Sequence, residues 1–194
     1  IDYIEFKVGM KSNSNKLIDF KINKKSVFKK SRASVIIPTY KRVDNLKNAI
    51  DSVMSQDYGD IEIIVVSDNG KDSKVNKEVS KIIDSYSNTD SKINIKYLAH
   101  DFNRNGSAAR NTGIMHSTGE YISFLDDDDI YLPGRLSKVI EKLKKSPKEV
   151  GAVYCGFLGW NSVDNNLGRY AEGDLTECFL SLDYSKHYLH TNTA

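Results

Sequence analysis

Short continuous apolar runs alternate along the chain with segments whose apolar residues recur at every third or fourth position. The first run, Val35 to Ile37, ends at Pro38, and the second, Ile61 to Val66, is interrupted only by Glu62. Such runs are typical of parallel strands buried on both faces, and the spaced stripes are typical of amphipathic helices. Strands that alternate with helices predict an α/β fold, a Rossmann-like sandwich around a mainly parallel central sheet.

The same pattern continues along the chain. The further predicted elements, in order, are a helix carrying Leu46 to Met54, a helix carrying Val75 to Tyr86, a strand from Ile93 to Leu98, a helix over about residues 107–117, a strand from Glu120 to Leu125, a helix opened by Pro133 and a strand from Val150 to Phe157. The alternating third strand is expected at or near a sheet edge. Beyond Trp160 the pattern weakens, with a short strand predicted over Gly168 to Tyr170 and a helix over Leu175 to Leu182.

The charge of the chain is unevenly distributed. The formal net charge is +2, but residues 1–33 carry nine Lys and Arg against three Asp and Glu. We therefore expect a basic lead-in segment over residues 1–33 and one globular domain over residues 34–194. A chain of 194 residues with 39% apolar positions is long enough to bury a core. Since the first residue is Ile1, the sequence is expected to be part of a longer protein.

The apolar stretches and the cysteines of the sequence bear on where the protein is located. No stretch approaches eighteen apolar residues, which favours a soluble chain. Cys155 and Cys178 have no C-x-x-C spacing, which argues against a disulfide framework or a zinc site. A cytoplasmic setting is therefore expected.

Four consecutive aspartates, Asp126 to Asp129, follow the strand that ends at Leu125. Neighbouring carboxylates repel one another, so the cluster favours a divalent cation. Mg²⁺ or Mn²⁺ fits best, because these ions prefer oxygen ligands and bind one or two carboxylates together with substrate phosphates. The sequence thus predicts a nucleoside diphosphate site at this strand end. A solvated acidic loop is the alternative.

Two other strand ends are expected at the same edge of the sheet, where ligands of such folds collect. The first is Pro38-Thr39-Tyr40, and the second is Ser67-Asp68-Asn69-Gly70. Tyr40 offers a ring on which a nucleobase can stack, and Asp68 offers an acceptor for a base N–H such as the imide of uracil. The alternatives are a core or surface aromatic for Tyr40 and a turn residue for Asp68.

Arg110 lies in a segment of small residues, Asn105 to Gly113, which allows a helix to pack close to the sheet or to a ligand. Its guanidinium can bind a base, a phosphate or a carboxylate. An ion pair with the aspartate cluster is therefore the alternative to nucleotide binding.

Taken in order, four segments resemble the family 2 glycosyltransferases of GT-A fold. They are Ser34 to Arg42, Glu62 to Gly70, Ala109 to Gly113 and Gly119 to Asp129, and the resemblance covers about residues 34–157. It implies a metal-dependent, inverting transfer of a sugar from a nucleotide donor, usually a UDP-sugar, to a hydroxyl in polysaccharide or glycan synthesis. The acceptor would be a glycan or a lipid-linked or protein-linked group, with no nucleic-acid partner. The basic lead-in segment would then either touch an anionic membrane that carries the acceptor, at its inner face, or form a solvated tail.

The resemblance also implies residue roles. Pro38, Thr39 and Tyr40 would line the base, Asp68 would bind uracil, and Arg110 would help to hold the nucleotide. Asp126 and Asp128 would be the two aspartates of the D-x-D motif, with Asp128 as the direct metal ligand, Asp126 as a second contact to metal or nucleotide, and Asp127 on the nucleotide.

Two positions depart from the family pattern. Ser67 stands where many relatives carry an aspartate, and the general base, an Asp or Glu in relatives, is expected beyond residue 194. Two other functions are left open by the sequence, a nucleotide-binding module without turnover and a sugar-phosphate nucleotidyltransferase. Against the latter, no glycine-rich phosphate loop follows the first strand.

Overall fold

The structure is a computed structural model that describes residues 4–7, 19–22, 29–86, 93–147, 150–155, 158–161, 166–169 and 176–179. The strands are β1 (Ile4–Lys7), β2 (Asp19–Ile22), β3 (Lys29–Thr39), β4 (Ile61–Ser67), β5 (Asn94–Ala99), β6 (Gly119–Phe124), β7 (Val150–Tyr154), β8 (Leu158–Asn161), β9 (Asn166–Arg169) and β10 (Thr176–Phe179). The helices are α1 (Val43–Met54), α2 (Lys74–Tyr86), α3 (Asn105–His116) and α4 (Arg135–Lys145). Among the described residues, no helix is both long and apolar enough to cross a lipid bilayer.

Four parallel strands form the central sheet in the order β5-β4-β3-β6. Val35 of β3 lies opposite Ile63 of β4 on one side and Ser123 of β6 on the other. Every residue of β4 is buried, as expected of a strand covered on both faces. The α/β prediction is confirmed, and so is the edge position predicted for β5.

The two faces of the sheet are covered by different helices because successive side chains of a strand point to opposite sides. Val35 and Ile37 pack with residues of α1, α2 and α4, whereas Ile36 packs with Ala109 of α3. The sheet is therefore the middle layer of a sandwich. All four strands run in the same direction, so their carboxyl ends lie at one edge.

Helix α3 packs unusually close to β3 at Gly113. A Cβ atom added at Gly113 would lie 2.4 Å from Cγ2 of Ile36, which is a stiff, fully buried side chain. Glycine therefore sets the distance between α3 and the sheet. Arg110 lies one turn earlier on the same helix, so this contact also positions its guanidinium.

Three regions extend or correct the predicted elements. Strand β3 begins at Lys29, five residues before the predicted domain start, because Lys29 lies opposite Gly119 of β6 and its backbone N–H donates to the Thr118 carbonyl at 2.9 Å. The helix predicted over Leu175 to Leu182 is wrong over residues 176–179, which form β10 and pair antiparallel with β7. Such pairing between distant segments overrides local helical spacing. The short strand predicted near Gly168 matches β9, although Tyr170 lies outside the described residues.

A buried carboxylate occupies the opposite edge, where the strands begin. Oε1 of Glu62 accepts hydrogen bonds from the Ser34 hydroxyl at 2.5 Å, the Thr118 backbone N–H at 2.5 Å and the Gly119 backbone N–H at 3.1 Å. Burial alone would raise the pKa of Glu62, but these donors outweigh it and hold the pKa below its ordinary value. This carboxylate links the starts of β3, β4 and β6.

Candidate functional site

The loops that follow β3, β4 and β6 meet at the carboxyl edge of the sheet. The Asp68 backbone N–H donates to the Thr39 carbonyl at 2.9 Å, and the Tyr40 backbone N–H donates to Oδ2 of Asp127 at 3.3 Å. The three segments singled out in the sequence are therefore in direct contact. They border a single crevice, as the parallel topology predicts.

The loop after β3 presents an exposed aromatic ring above two less accessible residues. Pro38 is half-buried and Thr39 is buried, whereas Tyr40 is 40% exposed. Nζ of Lys41 lies 4.8 Å from the centroid of the Tyr40 ring, and the Lys41 backbone N–H donates to Oδ1 of Asn69 at 2.7 Å. The ring is thus available to a flat ligand and has a cation beside it.

Asp68 is almost completely buried, with 2% of the residue exposed, so its carboxylate is less accessible to a ligand than the sequence predicted. Its Oδ1 accepts from the Arg104 backbone N–H at 2.8 Å and lies 2.7 Å from Nδ1 of His100. Its Oδ2 accepts from Nδ2 of Asn103 at 3.0 Å. Because a carboxylate has about four lone-pair sites, one further donor can still be accepted on Oδ2. The uracil contact of Asp68 stays a prediction.

The aspartate cluster is partly neutralised by two arginines. Nη2 of Arg110 pairs with Oδ1 of Asp126, so the structure contains the ion pair that was the alternative to nucleotide binding. Arg42 pairs through Nε with Oδ1 of Asp127 at 3.0 Å and through Nη1 with Oδ2 of Asp128. Asp127 is 1% exposed, whereas the side chain of Asp128 is 38% exposed. Asp128 is therefore the carboxylate of the Arg42 cluster that faces solvent most openly.

The carboxylates of this edge are electrostatically crowded. Burial raises the pKa of Asp127, although the Arg42 guanidinium opposes the shift. Burial also raises the pKa of Asp129, and the neighbouring charges of Asp128 and Asp126 raise it further. Both ionised side chains would gain from an additional cation.

Three buried side-chain polar atoms have no hydrogen-bond partner among the described residues, and all three belong to this site. They are Oγ1 of Thr39, Nε of Arg110 and Oδ1 of Asp127. Oδ1 of Asp127 nevertheless lies 3.0 Å from Nε of Arg42, and the Thr39 hydroxyl interacts with the Asp127 carboxylate. Buried polar atoms are nearly always hydrogen-bonded, so Nε of Arg110 is the donor for which a ligand or water would complete the bonding.

These observations allow a test of whether the residues fit a divalent cation. The described residues contain no group of three or more His, Cys, Asp or Glu side chains placed to hold a metal by themselves. Mg²⁺ and Mn²⁺ do not require such a cage, because they bind one or two carboxylates together with phosphates and water. The carboxylates of Asp128 and Asp126, which pair here with Arg42 and Arg110, have the oxygen chemistry that a cation bound jointly with a diphosphate would require.

Sequence reasoning missed three residues of the site, Arg42, His100 and Asn103. His100 directly follows β5, so the position of a fourth parallel strand end was the signal that could have found it. Arg42 lies two residues after Tyr40, but its partners are 85 and 86 residues further along the chain. Only the fold brings them together.

The fold and the site define a class of proteins, the parallel α/β folds that bind nucleotides at the carboxyl edge of the sheet. Comparison with known proteins narrows the class. The family model described as Glycosyl transferase family 2 matches residues 34–192, and the chain belongs to this family.

Two curated relatives and one solved structure illustrate the similarity. An uncharacterized glycosyltransferase of Rickettsia conorii is 36% identical over 141 residues, which cover 73% of this chain and 22% of the relative. The GalNAc(5)-diNAcBac-PP-undecaprenol beta-1,3-glucosyltransferase of Campylobacter jejuni is 34% identical over 111 residues, which cover 57% of this chain and 34% of the relative. The chain thus spans about a fifth to a third of the length of these relatives.

The solved structure is the mannosyltransferase PcManGT from Pyrobaculum calidifontis, determined in complex with GDP-Man and Mn²⁺. It superimposes with a TM-score of 0.53 at 23% identity, and the match covers 65% of this chain and 35% of that protein. This likeness confirms the GT-A fold.

Proposed function

We propose that this chain is the donor-binding part of an inverting, metal-dependent glycosyltransferase that moves a sugar from a UDP-sugar to an acceptor hydroxyl. One observation carries the proposal. The loops after β3, β4 and β6 contact one another directly, so Tyr40, Asp68 and the aspartate cluster surround one crevice. Family membership makes sugar transfer the reaction that such a crevice serves.

Each residue has a role that follows from its surroundings. The exposed ring of Tyr40 stacks on the base, an interaction worth about 1–3 kcal/mol. Oδ2 of Asp68 accepts the imide N–H of uracil with its remaining lone pair. Arg110 holds Asp126 in place and offers its unpartnered Nε to the nucleotide. Pro38 and Thr39 form the floor beside the base.

The aspartates prepare the diphosphate end of the crevice. Asp128 is the direct cation ligand and Asp126 the second acidic residue, while buried Asp127 fixes the Tyr40 backbone. A bound Mn²⁺ or Mg²⁺ supplies positive charge to the departing diphosphate. Arg42, whose side chain is 53% exposed, pairs with Asp127 and Asp128 and keeps these aspartates neutralised. The general base that takes the acceptor proton is still predicted beyond residue 194.

The acceptor belongs to a glycan class. The Campylobacter relative is named for transfer to an undecaprenol-linked glycan, and we propose a lipid-linked or polymeric glycan for this chain as well. Residues 29–33 belong to β3, so the segment that would bring the protein to the anionic inner face of a membrane carrying such an acceptor is residues 1–28, with six lysines and three acidic residues.

Calorimetry with UDP and Mn²⁺ tests the proposal. We expect the wild-type chain to bind UDP in a Mn²⁺-dependent manner and Asp128→Ala to lose at least about tenfold in affinity. Asp84→Ala is the matched control, because Asp84 is also exposed but lies on α2, near the end that leads back to the start of β5. Equal Mn²⁺-dependent affinity in the Asp128 and Asp84 variants would refute the metal assignment.

A binding module without turnover is the second candidate, because the chain spans only part of its relatives. Release of UDP from a panel of UDP-sugars separates the two functions. A transferase donor site is expected to release UDP slowly by hydrolysis, whereas a module that only binds gives saturable affinity and no release.

A further inference from the structure

A buried histidine bridges two parts of the site that the proposed mechanism treats separately. His100 follows β5 and is 6% exposed, and its backbone N–H donates to the Ser67 carbonyl at 2.9 Å. Nδ1 of the ring lies 2.7 Å from Oδ1 of Asp68, and Nε2 lies 2.8 Å from Oγ1 of Thr112. One imidazole thus links the end of β4 to helix α3.

The direction of these hydrogen bonds follows from the surroundings of Asp68. Both carboxylate oxygens already accept hydrogen bonds, from Arg104 on Oδ1 and Asn103 on Oδ2. An acceptor-only carboxylate requires that Nδ1 of His100 carries a proton and donates it. In the neutral ring Nε2 is then an acceptor for the Thr112 hydroxyl. The bonds run from Thr112 to His100 to Asp68 and hold the ring in one orientation.

These bonds determine where the remaining acceptor capacity of Asp68 points. Oδ1 is occupied by two donors, from His100 and Arg104, and Oδ2 by one. The carboxylate cannot rotate without breaking them, so the free lone pair on Oδ2 has a fixed direction. Thr112 lies two residues after Arg110 on α3, and the same chain of bonds therefore relates the base site to the arginine that pairs with Asp126.

We infer that His100 is a positioning residue that orients the Asp68 carboxylate for a uracil-type imide N–H and so makes the site select uridine over cytidine nucleotides. The inference rests on the proposed function. Uracil presents a donor at N3, whereas cytosine presents an acceptor there, which a fixed carboxylate lone pair repels. Rejection through mismatched buried polar groups gives strong discrimination.

Three variants separate the two hydrogen bonds of the ring. His100→Asn places an amide N–H near the position of Nδ1 and can keep the bond to Asp68. His100→Gln places its amide near the position of Nε2 and can keep only the contact to Thr112. His100→Leu removes both. A histidine with a purely structural role would alter the stability of all three variants without changing the choice between two pyrimidines.

The experiment measures the dissociation constants of UDP and CDP by calorimetry in Mn²⁺ buffer, with a thermal melt for each variant. We expect the wild type to prefer UDP, His100→Asn to keep the ratio within about threefold, and His100→Gln and His100→Leu each to lose about tenfold of the preference. Equal UDP-to-CDP ratios in the Asn and Gln variants overturn the inference, and this comparison stands even if His100→Leu does not fold. A wild type that binds UDP and CDP equally also overturns it, while the proposed function stands. A wild type that binds no UDP overturns both.

Discussion

Carboxylates at the two edges of the central sheet have pKa values shifted in opposite directions. At the amino edge, neutral donors from Ser34, Thr118 and Gly119 bind Oε1 of Glu62 and lower its pKa, while Nη1 of Arg32 lies 4.0 Å from Oε2. At the carboxyl edge, burial raises the pKa of Asp127 and Asp129, and the buried Nε of Arg110 has no hydrogen-bond partner among the described residues. The first arrangement stabilises a fold, and the second leaves interactions for a ligand to complete.

The partners of the two sets of carboxylates explain this difference. The backbone N–H groups of Thr118 and Gly119 are fixed by the start of β6 and cannot leave Glu62 unless that strand shifts. The aspartates of the carboxyl edge are held by Arg42 and Arg110, whose long side chains can exchange one anionic partner for another. The site therefore combines a rigid sheet with replaceable charges, and variants at the two edges should behave differently.

The largest effect on stability is expected at Glu62. Glu62→Ala removes the acceptor of four hydrogen bonds, two of them fully buried, and should lower the free energy of unfolding by about 2–4 kcal/mol. Urea denaturation near neutral pH measures the loss. Glu141→Ala is the matched control, because Glu141 is exposed and pairs with Lys145 on the solvent face of α4, so its replacement should lower the free energy of unfolding far less than Glu62→Ala does.

The pH dependence of the same variant tests the cause. Since the folded-state pKa of Glu62 is lowered, its ionised form stabilises the fold above the unfolded pKa of about 4.3, and this stabilisation is lost as the pH falls through the folded pKa. The difference between wild type and Glu62→Ala should narrow in acid. A difference that is constant with pH would mean that packing and not charge makes Glu62 important.

A second, smaller loss is expected at Gly113. Gly113→Ala forces a methyl group to within 2.4 Å of Ile36 and should cost about 1–3 kcal/mol, because the overpacked helix must shift from the sheet. The same shift moves Arg110, so UDP affinity should fall as well. Gly59→Ala is the control, since a Cβ there meets no atom within 4 Å. Thermal melts measure the stability of both variants, and titrations measure their UDP affinity. If the two variants had equal stability and equal UDP affinity, close packing at Gly113 would not be what positions Arg110.

The smallest expected effect has the opposite sign. Asp129→Asn removes a charge that is disfavoured by burial and by the neighbouring charges of Asp128 and Asp126. Because the side chain is partly exposed, solvent screens these effects, and the free energy of unfolding should rise by only about 0.5 kcal/mol near neutral pH. Because the folded-state pKa is raised, the wild-type penalty is absent below the unfolded value of about 3.9, grows as the pH rises from there through the folded pKa, and is complete above it. Thermal melts in acid and near neutrality measure it. Destabilisation by Asp129→Asn at neutral pH would show that the carboxyl edge is not electrostatically strained.

Much of the fold follows from local pattern. Strands β3 and β4 are buried on both faces, and their sequences contain continuous apolar runs. Helices α1 and α2 are buried on one face, and their apolar residues recur at every third or fourth position. Both patterns can be recognised in a single sequence. The location of the acidic run beside the other strand ends could also be predicted, because the carboxyl ends of parallel strands lie at one edge of the sheet. The β10 strand did not follow, since its helical spacing was overridden by pairing with β7.

The chemistry of individual side chains was less accessible. Asp68 and His100 are 32 residues apart and form a pair only because β4 and β5 are neighbours. Arg42 pairs with the aspartates from a loop in which Lys41 has a φ of 63°. This left-handed conformation is uncommon for a lysine and could not be predicted from the sequence of the loop. The pairing of Glu62 with Gly119 likewise depends on strand order. Contacts over such separations are products of topology and leave no periodic signal.

The most direct test of the central claim is a crystal structure of the chain with UDP and Mn²⁺, in which anomalous scattering locates the metal. The account predicts one Mn²⁺ peak bonded to Asp128 and to the diphosphate, with uracil stacked on Tyr40 and its N3 beside Asp68. A diphosphate bound away from the carboxyl ends of β3, β4 and β6, or a metal that contacts none of Asp126 to Asp128, would contradict it.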